Sequence, residues 1–479
     1  MKQMKLWMLA AILTFSGASL LTSCSEEDNP VPEPKIEERQ AFEKQLSADL
    51  EDVAEYINLD PTLKAIEILT SFTNNLNAEA LGNQVMDILT QILSNAFSEN
   101  PTCQFLSFDE LGDQKEEALN ALANSLHVSE PSSFVLVDAY NSIGTRHMTF
   151  KTGEPQAVIT EDDALVVEYQ DAELGETTEL RLKFNDERDG VIVFVANALG
   201  SPIAVQFPET IGITITTGKN GEPKQVLEGT VDLNTTDGTK YMSFKGSSWS
   251  ASANLLASVV GRKEQITATV DHSADGELSV MAGLSINDRA VLTLGALGVR
   301  NPYSAEEMEQ LKELRGMGSF YSTAYELLKA LNGRTIDALT LTINENIYVK
   351  CKVNDVAEAL KALGNLHLQH DIRGSKEAVD VYTQQLNGVL EFSVIEKNTG
   401  ISADGSLLTI LKEGEYQPAV ALRFDGETEF QAVYDNLSEQ DLVNYKKIIE
   451  SFREPIATFN KLLAALQEKA GALKGALPF

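Results

Sequence analysis

The chain has 479 residues, and its 38 basic and 71 acidic side chains give a formal net charge of −33 at pH 7. Such a field repels nucleic acid and anionic membrane surfaces, so the composition argues against a nucleic-acid partner. A hydrophobic content of 43% with only 14 prolines is typical of a folded chain with a substantial core. The length suggests two or three domains, or one large elongated domain.

The first 23 residues have the pattern of a secretory signal peptide. Lys2 and Lys5 give a positive start, and the run from Leu6 to Leu21 is almost entirely apolar or small. A membrane-spanning helix needs about 20 apolar residues, so this run is too short to span a bilayer stably. The segment therefore predicts export, with the signal removed from the mature protein.

The signal ends in Leu21-Thr22-Ser23-Cys24, which resembles the lipobox of bacterial lipoproteins. The resemblance implies that the chain is cleaved before Cys24 and that this cysteine, diacylated on sulfur, becomes the mature N-terminus. One acyl chain anchors a protein only marginally, whereas several chains on one residue hold it firmly in a membrane. The alternative is an ordinary secretory signal with a chance cysteine.

An acidic cluster follows Cys24 at Ser25-Glu26-Glu27-Asp28 and resembles the surface-export signal of Bacteroidota lipoproteins. It implies an outer-membrane, lipid-anchored protein exposed at the cell surface; the alternatives are a solvated acidic spacer and an anchor on the periplasmic face. Pro30, Pro32 and Pro34 come next, and alternating prolines favour an extended stalk of about 3.1 Å per residue.

Beyond the stalk, hydrophobic periodicity predicts an α+β protein. We expect a helical N-terminal region, a large antiparallel β-meander (a sheet or a split barrel), a helical insertion and a long C-terminal helix. The predicted ranges are 1–23 (signal peptide), 24–34 (lipidated tether), 35–130 (helical region), 131–300 (antiparallel β region), 301–364 (insertion of helix with strands), 365–436 (β region) and 437–479 (C-terminal helix). Turn pairs between the predicted strands favour tight hairpins. They are Asp189-Gly190, Asn220-Gly221, Asp237-Gly238, Asp275-Gly276 and Asn287-Asp288.

The helical region shows apolar residues at intervals of three and four, which predicts amphipathic helices. The first helix carries Phe42, Leu46, Leu50, Val53 and Ile57 on one face. The second begins near Pro61, which suits a first-turn position, and it carries Leu63, Ile66, Leu69, either Phe72 or Thr73, and Leu76. Further along, a capping pattern at Ser304 opens the insertion helix. Asp355 is expected to cap a short helix that Gly364 ends.

The C-terminal helix begins at Ser438 with Asp441 and carries a heptad-like apolar seam. The seam comprises Leu442, Tyr445, Ile449, Phe452, Ile456, Phe459, Leu463, Leu466, Ala470 and Leu473. Pro455 lies within it and predicts a kink without a break. Two interpretations stay open: packing on the rest of the chain, or a coiled-coil partner in another subunit.

Two identical tetrapeptides, Ser273-Ala-Asp-Gly276 and Ser402-Ala-Asp-Gly405, suggest either a duplicated hairpin or chance recurrence of a good turn sequence. Two cysteines remain besides the lipobox residue, Cys103 and Cys351, and in an oxidising compartment they could pair or stay as buried thiols.

His367, His370 and Asp371 form the one local cluster with metal-ligand character. The cluster follows Gly364, however, and on a strand the two histidines would point to opposite faces. The lone tryptophan of the mature chain, Trp249, is expected in the core or in a hairpin.

No nucleophile elbow, phosphate loop, dinucleotide fingerprint or zinc-protease helix occurs in the sequence. We therefore expect no cofactor and a non-enzymatic surface lipoprotein with a binding or structural role. The protein or glycan that it would bind is not identified by the sequence. Two alternatives stay open: a surface hydrolase acting on glycans or peptides, and a carrier of lipids or other apolar ligands.

Overall fold

The computed structural model describes much of the chain from residue 36 to residue 476. The described residues are 36–77, 103–126, 131–138, 147–149, 155–161, 164–170, 177–184, 190–198, 201–218, 224–235, 240–243, 248–259, 262–274, 277–300, 334–368, 373–412, 414–433 and 437–476. The chain divides into two compact units. Unit 1 comprises Met1–Ile57, Glu277–Leu284 and Ala290–Ile449, and unit 2 comprises Asn58–Gly276, Ser285–Arg289 and Glu450–Phe479.

The described part contains six α-helices. They are α1 (Ile36–Tyr56), α2 (Asp60–Asn75), α3 (Lys115–Leu126), α4 (Val356–Leu368), α5 (Lys376–Val389) and α6 (Glu439–Ala476). A 3₁₀-helix, Phe108–Gln114, precedes α3. None of the described helices is long and apolar enough to cross a membrane. The helix predicted to open at Ser304 lies outside the described residues.

Twenty described strands make up the β structure. The first twelve are β1 (Cys103–Ser107), β2 (Ser133–Asp138), β3 (His147–Thr149), β4 (Pro155–Glu161), β5 (Ala164–Gln170), β6 (Thr177–Phe184), β7 (Val191–Ala198), β8 (Ser201–Phe207), β9 (Thr210–Thr217), β10 (Lys224–Thr235), β11 (Trp249–Val259) and β12 (Arg262–His272). The others are β13 (Glu277–Ile286), β14 (Arg289–Arg300), β15 (Ile336–Ile343), β16 (Ile347–Val353), β17 (Leu390–Glu396), β18 (Ser402–Lys412), β19 (Glu415–Phe424) and β20 (Gln431–Ala432).

Most strands form a large antiparallel sheet, as predicted, and this sheet does not close on itself within the described residues. In unit 2 the order is β3-β4-β5-β6-β9-β10-β11-β12, and in unit 1 the strands from β14 to β20 follow one another in chain order. Unit 2 also holds a four-stranded sheet, β1-β2-β8-β7, in which β2 and β8 run parallel.

Two predicted ranges contain elements of the other type. Strand β1 lies inside the region expected to be helical, because Cys103–Ser107 pairs with β2 across a long stretch of chain that local periodicity does not report. Helix α5 lies inside the 365–436 region expected to be β, and its N-cap is Ser375, whose hydroxyl accepts from the Ala378 N–H. Helix α4 continues past Gly364 to Leu368, so that glycine does not end it.

Helices α1 and α2 differ in how well periodicity predicts their buried faces. Helix α1 buries Phe42, Leu50 and Val53, as its periodicity predicts. Helix α2 buries Ala65 and Ile68, one residue away from the predicted face, because these side chains join Ile215, Val226 and Leu227 of β9 and β10 in one core cluster.

Helix α6 shows the same displacement of one residue. Its buried side chains include Asp441, Asn444, Ile448, Thr458, Leu462 and Ala465, whereas Phe459 of the predicted seam is 41% exposed. The helix runs through Pro455 without a break, as predicted.

The two Ser-Ala-Asp-Gly tetrapeptides differ in structure, which favours chance recurrence over duplication. Ser273 and Ala274 follow the end of β12, whereas Ser402 to Gly405 form the first residues of strand β18. The turn at Asn287-Asp288 is confirmed as a hairpin, since both residues have positive φ, at 49° and 67°.

Candidate functional site

In unit 1, helix α1 crosses the ends of strands β15 to β19. Its first turn contacts β19, Phe42 packs against Val394 of β17 and Ala403 of β18, and Asp49 reaches the turn between β15 and β16. Polar side chains converge along this crossing, and their hydrogen bonds link described parts of unit 1 that lie far apart in the chain. We therefore take it as the candidate functional site.

Arg39 holds the N-terminal end of α1 to the sheet. Its guanidinium donates from Nε and Nη2 to the two carboxylate oxygens of Glu427, at 2.8 and 2.7 Å, and from Nη2 to the carbonyl of Leu422 at 2.8 Å. The same group lies 4.8 Å above the ring of Phe424. Burial works against ionisation of Glu427, but the bonds from Arg39 and the Phe424 N–H outweigh it and lower the pKa of this carboxyl.

Asp49, in the middle of α1, is a buried carboxylate held by neutral amides. The side chains of Asn344 and Asn346 donate to its two oxygens at 2.6 and 2.8 Å, and Gln45 donates at 3.2 Å. The β15–β16 turn presents these amides because Asn344 and Glu345 adopt positive φ, at 52° and 61°. Charge-assisted hydrogen bonds of this kind tie α1 to the turn.

Glu396 fixes the neighbouring β17–β18 turn. Its carboxylate accepts from the backbone N–H groups of Asn398 and Thr399, both at 2.8 Å, and from the Thr399 hydroxyl. Burial opposes ionisation here too, but these bonds and one from Asn346 lower the pKa of Glu396. Asn346 therefore bonds carboxylates of both α1 and the β17–β18 turn.

Asp441 connects the start of α6 to α1. One oxygen accepts from the Ser47 hydroxyl, and the other accepts from the Ser438 N–H and hydroxyl at 2.9 and 2.6 Å. The Asp441 N–H donates back to the Ser438 hydroxyl at 3.2 Å, which confirms the predicted helix start. Burial opposes ionisation, but the serine bonds lower the pKa of Asp441.

The carboxylates of the crossing are suited to holding elements together more than to transferring protons. Glu396, Glu427 and Asp441 are ionised at neutral pH because their pKa values are lowered, and their oxygens already accept hydrogen bonds. A general base needs a pKa near the working pH and a free oxygen. The described residues contain no group of three or more His, Cys, Asp or Glu placed to hold a metal ion.

Unit 2 has its own buried carboxylate, Glu264, which caps the N-terminus of α2 through Thr62. Trp249 lies in the core, as predicted, stacked 4.9 Å from the ring of His272, and its Nε1 donates to the Ser243 carbonyl at 2.9 Å. Neither Glu264 nor Trp249 is accessible enough to contact a substrate, at 0% and 7% exposure.

The predicted metal cluster is described only in part. The backbone of His367 belongs to α4, whereas its side chain, His370 and Asp371 lie outside the described part, so the metal site stays a prediction. The backbone of His367 is helical and not extended, so the objection that a strand would separate the histidines does not hold. Cys24 and its tether also lie outside the described residues.

The two other cysteines differ in what the structure describes. Cys351 on β16 is partly buried, and burial raises the pKa of its thiol to about 12, which makes that thiol a poor nucleophile. Cys103 begins β1, but its side chain is outside the described part. A disulfide between Cys103 and Cys351 stays a prediction.

Sequence reasoning missed the carboxylates of the crossing, because the partners that join distant elements lie 295 to 394 positions away in the chain. Of the pairs that are close in sequence, the sequence analysis named only Ser438 with Asp441. No protein-family model, no curated protein sequence and no solved structure matches this chain.

Proposed function

We propose that this chain is a lipid-anchored lipoprotein of the cell envelope, held in the outer membrane through Cys24 and exposed at the cell surface, with a non-enzymatic binding or structural role. The observation that carries the proposal is the order of residues at the N-terminus. A short apolar signal, the lipobox Leu21-Thr22-Ser23-Cys24 and an acidic cluster follow one another without a gap.

The chemistry of the crossing supports the non-enzymatic part. Its carboxylates are engaged with amide, hydroxyl and guanidinium donors, which is the state of groups that hold elements together. An envelope protein on a proline-spaced stalk presents its folded body to the medium, and this body is strongly acidic.

Lipidation is tested by metabolic labelling with an alkyne fatty acid in the full-length protein. We expect the wild type to be labelled and recovered with membranes, and Cys24→Ala to lose the label and the membrane association. Cys351→Ala is the matched control, since it removes a cysteine from the body and should be labelled like the wild type. Labelling of Cys24→Ala would overturn the anchor.

Surface exposure is tested separately on intact cells with added protease and an antibody against the body. The wild type should be digested and stained, whereas the triple variant Glu26→Ala/Glu27→Ala/Asp28→Ala should keep its lipid but become protected. A labelled wild type that resists protease on intact cells would place the anchor on the periplasmic face. Hydrolysis of glycans or peptides by the purified wild type would overturn the non-enzymatic role.

A further inference from the structure

Strand β18 of unit 1 has a neighbour on both sides only along its first residues. Its ladder with β17 runs from Ile395–Ser402 to Phe392–Gly405, whereas its ladder with β19 continues to the pair Lys412–Glu415. From Ser406 to Ile410, no described strand pairs with β18 on the β17 side. Unpaired strand edges are templates for pairing with another chain.

Helix α5 takes the place of the missing strand. The Asn387 side chain donates from Nδ2 to the Leu407 carbonyl at 2.8 Å, and the Leu407 N–H donates to Asn387 Oδ1 at 2.8 Å. These two bonds reproduce the pair that facing residues exchange in an antiparallel ladder. The Asn387 amide is thus a substitute for the peptide group of a neighbouring strand.

A second contact shows that the spacing of polar groups along the helix matches that along the strand. The hydroxyls of Thr383 and Thr409 lie 3.0 Å apart. One turn of helix, from Thr383 to Asn387, rises about 6 Å, and two residues of strand, from Leu407 to Thr409, span about 6.6 Å. Val379 and Leu386 are fully buried on the same helix, so α5 covers this edge with a packed face.

The segment that α5 covers is well suited to pair with itself. Leu407-Leu408-Thr409-Ile410-Leu411 is a run of uncharged, largely β-branched or apolar residues without proline or glycine. Such runs form intermolecular β structure when their edges are exposed. The occupant that fits an uncovered edge best is therefore the same segment of a second copy.

We propose that Asn387 is a positioning residue that closes the β18 edge and thereby keeps this chain from pairing through β18 with a second copy of itself. The helix supplies the cover, and the Asn387 amide supplies the two hydrogen bonds that the Leu407 peptide would otherwise offer to an incoming strand.

The test is the molar mass of the purified full chain, measured by light scattering over a tenfold concentration range. Asn387→Ala should at least double the molar mass as the concentration rises, whereas Gln385→Ala, an exposed change on the same helix, should leave it as in the wild type. Asn387→Ala/Leu408→Lys should return to the wild-type mass, because a charge on an edge strand blocks pairing. Leu408 is 36% exposed, so a lysine is tolerated there.

A wild-type mass for Asn387→Ala, with or without a loss of stability, would overturn the proposal. So would an assembly of Asn387→Ala that Leu408→Lys leaves unchanged, since it would involve another surface. Circular dichroism establishes that each variant is folded. If Asn387→Ala does not fold, Asn387→Ser is the milder variant, and its mass with and without Leu408→Lys decides in the same way.

Discussion

The carboxylate of Glu264 on β12 caps helix α2 from 202 positions further along the chain, accepting from the Thr62 N–H at 2.9 Å and from the Thr62 hydroxyl at 2.7 Å. Residue Leu59, at the N-cap position, supplies no side-chain bond. Helix N-termini leave backbone N–H groups without partners, and here the sheet satisfies one of them. Arg262 supports the carboxylate at 3.3 Å and donates to the Asn58 carbonyl at 3.1 Å.

Removing this cap should destabilise unit 2. Glu264→Ala leaves the Thr62 N–H buried without an acceptor, and we expect a loss of about 1–3 kcal/mol in the free energy of unfolding. Urea denaturation followed by circular dichroism measures it. Glu228→Ala, on the exposed side of β10, is the control and should change stability by less than about 0.5 kcal/mol. Equal effects of the two substitutions would contradict the capping role.

Glu264 also predicts a pH dependence. Burial raises the pKa of its carboxyl, and the bonds from Thr62 and Arg262 only partly oppose this. A group with a raised folded-state pKa contributes its stability fully below the unfolded pKa and loses it as the pH rises through the folded pKa. Glu264→Gln keeps a hydrogen-bond acceptor. The urea midpoint of this variant should therefore rise relative to that of the wild type as the pH increases from 4 to 8. A difference that stays constant with pH would refute this.

The bidentate pair of Arg39 and Glu427 should be a major contributor to the stability of unit 1. Arg39→Ala leaves a half-buried carboxylate without its cation, and we expect a loss of about 2–4 kcal/mol, less than for a fully buried pair because water screens part of it. Arg39→Lys should lose less of the free energy of unfolding than Arg39→Ala, but should not match the wild type, because a lysine cannot form the two parallel bonds. Denaturation at neutral pH gives both values.

The control for this pair is Lys361→Ala, which breaks an exposed pair with Glu358 and should cost less than about 0.5 kcal/mol. The pH dependence has the opposite sign to that of Glu264. Because the pKa of Glu427 is lowered, its contribution is present above the unfolded pKa and is lost as the pH falls through the folded pKa. The cost of Arg39→Ala should therefore shrink on acidification, and an undiminished cost would argue against the ion pair.

Gly405 on β18 should not tolerate a side chain. A Cβ atom there would lie 1.9 Å from the ring of Phe392, which crosses the strand at this point. Gly405→Ala should cost about 1–3 kcal/mol through overpacking, and Phe392→Leu in the same chain should recover part of it. Gly388→Ala, which meets nothing within 4 Å, should be neutral or stabilising by up to about 1 kcal/mol. Thermal unfolding of the four proteins compares them directly.

Local signals predicted where several helices begin. Pro61 lies in the first turn of α2, the Asp355 carboxylate accepts from the Glu358 N–H at 3.0 Å, and Ser438 with Asp441 starts α6. These predictions of helix starts are confirmed because the capping residue and the helix are neighbours in sequence. The large antiparallel sheet was likewise predictable, since alternation and turn residues are local signals, whereas the choice between a sheet and a split barrel was not.

Other features depend on contacts that no window of sequence contains. Two helices, α2 and α6, bury faces displaced by one residue from their most apolar ones, because the partner surface decides which side chains fit. Glu345 has positive φ without the usual glycine or asparagine, held by a turn whose asparagines bond Asp49. Hydrophobic periodicity does not predict the polar crossing of unit 1 for the same reason.

The contacts of α1 set an order of events during synthesis. Arg39 bonds a residue 388 positions later, and Ser47 bonds one 394 positions later. At about 5–20 residues per second, roughly 20 to 80 s pass between the appearance of Arg39 and that of Glu427. Helix α1, the first described helix to emerge, thus completes its contacts only after strands β1 to β19 have been made. Helix α1 therefore cannot make its full set of contacts until most of the chain has been synthesised.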